Sequence, residues 1–229
     1  MRASVVRHVV TGSVVLLLAT ALAHTSSIAV AADDAPKPDA AKPTTQPTSS
    51  VVGTVTAESE VPLSEMVVYL ESPDAGRPMP PPPGPAKVSQ KGAKFDPPMT
   101  VVTIGQAVSF PNDEDKPIEH NVFSTSPSKR FDLGLYGPGK EKTVTFDKPG
   151  PVFLFCSVHR YMDGVVFVSP TPYTSRVDNK GHYEIKNVPP GKWTLKSWQR
   201  RRRFPEMTIP TEVPADNPAT VDFELKKKK

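Results

Sequence analysis

The sequence predicts an all-β fold made of small antiparallel sandwiches. Three observations carry it: short apolar runs recur along the chain, turn residues bound each of them at fairly regular spacing, and no segment sustains a helical period. In order the runs are Val51–Thr56, Met66–Glu71, Thr100–Ile104, Ala107–Phe110, Lys142–Phe146, Val152–Phe155, Val165–Val168, His182–Lys186, Trp193–Trp198 and Ala219–Leu225, each flanked by Gly, Pro, Asn or Asp. Two Pro-rich stretches interrupt them, "ADDAPKPDAAKPTTQPTSS" at 32–50 and "RPMPPPPGPA" at 77–86. The first reads as a flexible or partly polyproline tether and the second as a stiff connector or surface loop.

The N-terminus reads as a secretory signal. Arg2 and Arg7 precede an apolar run from Val9 to about Ala23, and the small-residue pattern Ala29-Val30-Ala31 points to cleavage after Ala31 or at a site one or two residues away. The run is too short and too poorly flanked for a spanning helix. No cysteine lies near the cleavage site, which excludes a lipid anchor there. Segment 1–31 carries two arginines and no acid, so its removal takes the formal charge from +4 to +2 and leaves about 198 residues. A nearly neutral chain of that size does not suggest a nucleic-acid partner. It holds one cysteine, Cys156, and in an oxidising exported compartment a lone thiol is buried, paired between chains, or bound to a metal.

Cys156 sits in "FLFCSVHRYMDGVVFV", with His159 three residues on and Met162 three further. Taken singly, each has an ordinary structural reading: a small core hydrophobe, a surface histidine, a core filler. Together they converge on one metal chemistry. Thiolate, thioether and imidazole donors select copper, and two histidines, one cysteine and a weak axial methionine make the blue-copper set. The second histidine must come from elsewhere. "VSFPNDEDKPIEHNVFS" leads from a strand through a polar loop to His120, and a Greek-key sandwich brings such distant loops together at one end. The expected site is His120, Cys156 and His159 with Met162 axial; His182 is the alternative should His120 not be a ligand.

Residues 86–170 resemble a cupredoxin of the plastocyanin/amicyanin type. "KFDPPMTVVTIGQAVSFPNDEDKPIEHNVFS" is similar to that family's approach to its first histidine, and "GPVFLFCSVHRYMDGVVFV" to its closing hairpin. The Cys-x-x-His-x-x-Met spacing matches the short ligand loop of amicyanin. The resemblance implies that Asn121 ties the two ligand loops together by hydrogen bonds. It also implies a redox protein partner, a c-type cytochrome or a dehydrogenase, and likeness to methylamine-utilisation-like proteins, although no pathway can be read from the chain.

A second resemblance covers the remainder. "DNKGHYEIKNVPPGKWTLKSW" at 178–198 resembles the carboxypeptidase regulatory-like (transthyretin-like) β-sandwich, with its Asp-x-x-Gly turn and Val-Pro-Pro-Gly hairpin. That family begins with a Gly-x-Val strand and a second strand soon after, and these stand far upstream in "VVGTVTAESEVPLSEMVVYLE", 51–71. The expected organisation is nested: 51–72 plus 172–225 form one sandwich, and the cupredoxin, 84–170, is inserted between its strands. Alternatively Met66–Glu71 serves as the first cupredoxin strand and the two domains lie in tandem. Such regulatory-like modules are non-catalytic, which implies a scaffold or docking surface.

Two basic runs remain, "RRRR" at 200–203 and the tail "KKKK" at 226–229. Each reads as a solvated segment or as a docking site for an acidic partner or an anionic membrane surface. The acidic "NDED" at 112–115 offers the opposite attraction near His120. Three strong ligands and an axial one leave no open position for substrate, and no candidate base, nucleophile or nucleotide motif accompanies them. The expectation is a periplasmic one-electron carrier rather than an enzyme, with copper tuned by the axial ligand and the apolar "VFLF" shell, and with His159 as the electron exit. The alternatives are copper storage or delivery, and a structural sandwich with a vestigial site.

Overall fold

The computed structural model describes residues 48–58, 62–72, 79 and 81–227. The signal segment 1–31, the tether up to residue 47 and the last two lysines lie outside the described residues. The protein is all-β: no α-helix occurs among the described residues, which hold a single 3-10 turn at Leu63–Glu65.

Among the described residues five β-sheets surround three apolar clusters, the smallest of the sheets a two-stranded pairing of Ser89–Gln90 with Phe95–Asp96 beside the central strands. Sheet one pairs Ser49–Ala57 antiparallel with His182–Val188 and parallel with Ala219–Thr220 and Phe223–Leu225. Sheet two runs in the order Thr174–Arg176, Met66–Glu71, Gly191–Gln199, Thr208–Val213. Between them lie Val51, Val55, Met66, Val68, Leu70, Ile185, Leu195, Val213 and Leu225. We call this pair the flanking sandwich, since its strands come from both ends of the described chain.

Sheet three contains Met99–Thr103, Asp163–Ser169, Gly150–Phe155, Phe123–Ser126 and Lys129–Asp132, with the first two parallel and the rest antiparallel. Sheet four contains Glu141–Thr145, Ala107–Pro111 and Ala86–Lys87. Val102, Val108, Phe110, Val152, Leu154, Val166 and Val168 fill the space between them. This is the central sandwich.

A third cluster joins the two. Val67, Tyr69 and Trp198 of sheet two meet Met99, Val165 and Phe167 of sheet three, and the Trp198 ring stacks on Phe167 at 5.0 Å. The runs "MVVYL" and "GVVFV" are apolar at every position because both faces of each strand are covered. Met66, Val68 and Leu70 face one way, Val67 and Tyr69 the other. Met66–Glu71, for which the sequence left two partners open, forms its ladders with Thr174–Arg176 and Gly191–Gln199.

Several strands were invisible as apolar runs. Phe123–Ser126 and Lys129–Asp132 form a mostly polar hairpin at a sheet edge. Thr208–Val213 contains Pro210, tolerated because the strand is the edge of sheet two and pairs on one side only. The expected run Ala219–Leu225 splits in two, with the Val221 amide between the halves donating to the Val52 carbonyl. Strand alternation also divides "VFLF": Val152 and Leu154 enter the central core, Phe153 joins the third cluster, and Phe155 is exposed against Phe123.

Three arginines of the run make contacts within the chain, although Arg201, Arg202 and Arg203 are exposed. Arg200 and Arg201 both bond Glu65, Arg200 also bonds Asp163, and the Arg202 guanidinium lies over the Phe153 ring.

Candidate metal centre

Two loops at one end of the central sandwich bring three donors together. His120 closes the loop that leaves Ala107–Pro111, and its backbone exchanges two hydrogen bonds with Tyr136. Cys156 follows directly on Gly150–Phe155, and His159 lies in the short turn before Asp163–Ser169. The His120 and His159 Nδ1 atoms are 3.1 Å apart, and Cys156 Sγ is 3.9 Å from the first and 3.8 Å from the second. His120 is fully buried and Cys156 nearly so, while His159 is half-buried. Met162 is buried in the same apolar cluster as Cys156, its amide donating to the His159 carbonyl at 2.9 Å. His182 is elsewhere, exposed at the start of a strand of sheet one beside Asp178.

The arrangement suits a metal ion. Separations of 3.1–3.9 Å are those that one ion spans at bond lengths of about 2.0–2.3 Å to nitrogen and sulfur. His120, Cys156 and His159 are the one such group of three donors among the described residues. A thiol with two imidazoles is a set that prefers copper to a hard cation, and the Met162 side chain is buried in the same apolar cluster as Cys156.

Surrounding hydrogen bonds hold these donors in place. The Asn121 side-chain oxygen accepts from the Ser157 amide at 2.7 Å and from the Ser157 hydroxyl at 2.9 Å, and its nitrogen donates to Asp132 at 3.1 Å. It thus bridges the His120 loop to the Cys156 loop. The Gly134 amide and Asn121 together hold the Asp132 carboxyl below the usual carboxylate range.

No family model matches the chain, and no curated protein does. Among solved structures the chain is similar to the copper-containing nitrite reductase of Thermus scotoductus SA-01, with 27% identity over 38% of this chain and 23% of that one, at a TM-score of 0.37. It is similar to a purple cupredoxin from Nitrosopumilus maritimus, with 23% identity over 37% of this chain and 99% of the other, at 0.33. A reduced form of an amicyanin variant matches at 19% identity over 44% of this chain and 99% of its own, at 0.35.

The sequence did not single out the partner of the buried His120. Its Nε2 meets the Glu114 carboxylate at 2.9 Å, and that side chain is only 7% exposed. Burial pushes the Glu114 carboxyl up, but hydrogen bonds from the Ala93 amide and His120 outweigh it and hold the group below the usual range. With Nε2 engaged by a carboxylate, Nδ1 is left to face Cys156 and His159, the way an outer partner orients an imidazole ligand. The available signal was Asn112: its Oδ1 accepts the Glu114 amide two residues on, an Asx turn that folds the loop back. Asn112 also donates to the Ile118 and Tyr136 carbonyls at 2.9 Å each. Gln90 donates to the Tyr136 hydroxyl at 2.6 Å, which donates to the Phe110 carbonyl, and burial pushes the Tyr136 phenol up to about 12. The "NDED" acids are therefore mostly spent locally, Asp113 on Lys87 and Asp115 on Lys91.

Proposed function

We propose that this protein is a type 1 copper protein that carries single electrons between redox partners. The observation that carries the reading is the convergence of two imidazole Nδ1 atoms and one thiol within 3.9 Å of each other, from loops 36 residues apart, at the edge of an apolar core. His120, Cys156 and His159 would hold the ion, with Met162 as the weak fourth donor. Copper bound there would supply one-electron chemistry by cycling between Cu(I) and Cu(II).

The chain's own residues supply rigidity. Glu114, Asn121 and the Tyr136 backbone fix the donors before any ion arrives, so the same geometry serves both oxidation states. The apolar cluster around Cys156 and Met162 excludes water. Half-buried His159 is the natural electron exit, and exposed Val158 and Tyr161 beside it suit a redox protein partner such as a c-type cytochrome or a dehydrogenase. We read the protein as exported and non-catalytic, with 84–170 as the copper domain. Residues 51–72 plus 172–225 form a scaffold of the carboxypeptidase regulatory-like kind. Among the described residues no helix is long and apolar enough to cross a membrane.

The test is a titration of the full chain and its Cys156→Ser variant with Cu(II). One equivalent should saturate the wild type and raise an intense visible band that the variant lacks. A variant that keeps the band removes Cys156 from the site and overturns the reading.

A further inference from the structure

The stretch from Cys156 to Met162 is anchored at both ends, and the anchors come from different sandwiches. At its start Ser157 is held by Asn121, inside the central sandwich. At its end Asp163, the residue after Met162, is held by Arg200 from the turn that follows Gly191–Gln199 of the flanking sandwich. The Arg200 Nη2 reaches the Asp163 carboxylate and, at 3.5 Å, its carbonyl oxygen.

Arg200 is itself fixed. Its Nη1 meets Glu65 Oε1 at 3.3 Å, and its amide donates to the Glu65 carbonyl at 3.1 Å. The other Glu65 oxygen takes Arg201 Nε at 2.9 Å. The Arg200 side chain is only 15% exposed, and a planar fork bound on both sides has little freedom left. Two residues earlier, Trp198 stacks on Phe167, which lies on the same strand as Asp163. The contact therefore bridges two sheets already packed together.

We propose that the flanking sandwich braces the ligand loop of the central one through Arg200, a positioning residue that takes its own orientation from Glu65 and fixes Asp163, and with it Met162. The rival account is that Arg200 only glues the sandwiches together. A brace acts on the loop selectively; glue acts on the whole fold. The copper-dependent half of the test below rests on the reading of the site given above, and the other half does not.

Amide hydrogen exchange of the full chain without added metal gives the first readout. Arg200→Gln should speed exchange at residues 159–163 about fivefold or more while Met66–Leu70 and Val108–Phe110 stay within about twofold of wild type. Arg201→Gln, which touches Glu65 but not Asp163, should behave as wild type throughout. With Cu(II) bound, Arg200→Gln should release copper to a chelator about tenfold faster. Its reduction potential should fall, because an uncompensated Asp163 favours the more highly charged ion, and Arg200→Lys should restore it. If Arg200→Gln does not fold, Asp163→Asn cuts the same contact from the loop side and should give the same exchange pattern. Loop exchange equal to that of Arg201→Gln, or faster exchange spread evenly over both sandwiches, overturns the brace. A wild type with no copper band would sink the copper reading instead and leave the exchange result standing.

Discussion

The flanking sandwich closes over Leu70, Ile185, Leu195 and Leu225, whereas the central one buries Gln90, Asn112, His120 and Asn121 among its valines and phenylalanines. Every buried Asn, Gln and His among the described residues lies in the central sandwich. A buried polar side chain is costly unless it is bonded, and Asn112, His120 and Asn121 each find partners within 3.2 Å. Two β-sandwiches of similar construction thus differ in what they bury. One interior is filled by aliphatic and aromatic side chains. The other spends part of its interior on holding three donor atoms at fixed separations.

The sharpest way to break that contrast is to damage the flanking core alone. Leu195 is fully buried there, so Leu195→Ala should cost about 2–5 kcal/mol of unfolding free energy. The copper spectrum of the folded fraction should stay unchanged. A spectrum that shifts together with stability would mean that the two interiors are not separable. Removing a central polar group should instead reach stability and copper together. Asn121→Ala loses the bridge to Ser157 and leaves the Ser157 amide and hydroxyl without that acceptor. We expect about 1–3 kcal/mol of stability lost, read in denaturant, together with a copper affinity about 10–100-fold weaker.

Substitution of Met162 should move the potential with little change in stability. Met162→Leu removes a weak donor at nearly constant volume and should raise the reduction potential; Met162→Gln supplies a harder oxygen donor and should lower it. If both variants keep the wild-type potential in a redox titration, Met162 is core filler.

The smallest effect concerns Asp132. Its carboxyl is held below the usual range by the Gly134 amide and Asn121, so its stabilisation is present at neutral pH. It fades as pH drops below about 4 and is gone once pH passes under the lowered native value. Urea midpoints of wild type and Asp132→Asn should therefore differ at pH 7 and converge in acid. A gap that persists in acid would remove charge as the cause.

How much of this was legible depended on whether the signal was local. Met66–Glu71 was read to the residue, and Val165–Val168 falls within Asp163–Ser169, because apolar side chains reveal strands buried on both faces. Lys129–Asp132 and Pro210 in Thr208–Val213 hid their strands, because edge strands can carry charge and proline. At the site, Cys156, His159 and Met162 lie within seven residues of each other, and chemistry alone grouped them. His120 needed an assumption about which loops meet, and the structure places its Nδ1 beside the other two donors. Glu114 and Arg200 were not legible as partners. Each looked like part of a surface charge run, and only the folded chain shows Glu114 turned inward to His120 and Arg200 clamped between Glu65 and Asp163.

The central claim is tested most directly by the visible spectrum of the full chain loaded with one equivalent of Cu(II). Two imidazole nitrogens and a thiolate around the ion predict an intense thiolate-to-copper charge-transfer band, bleached by a mild reductant and restored on reoxidation. A colourless or weakly absorbing copper complex, or a band that does not respond to reduction, would contradict the account.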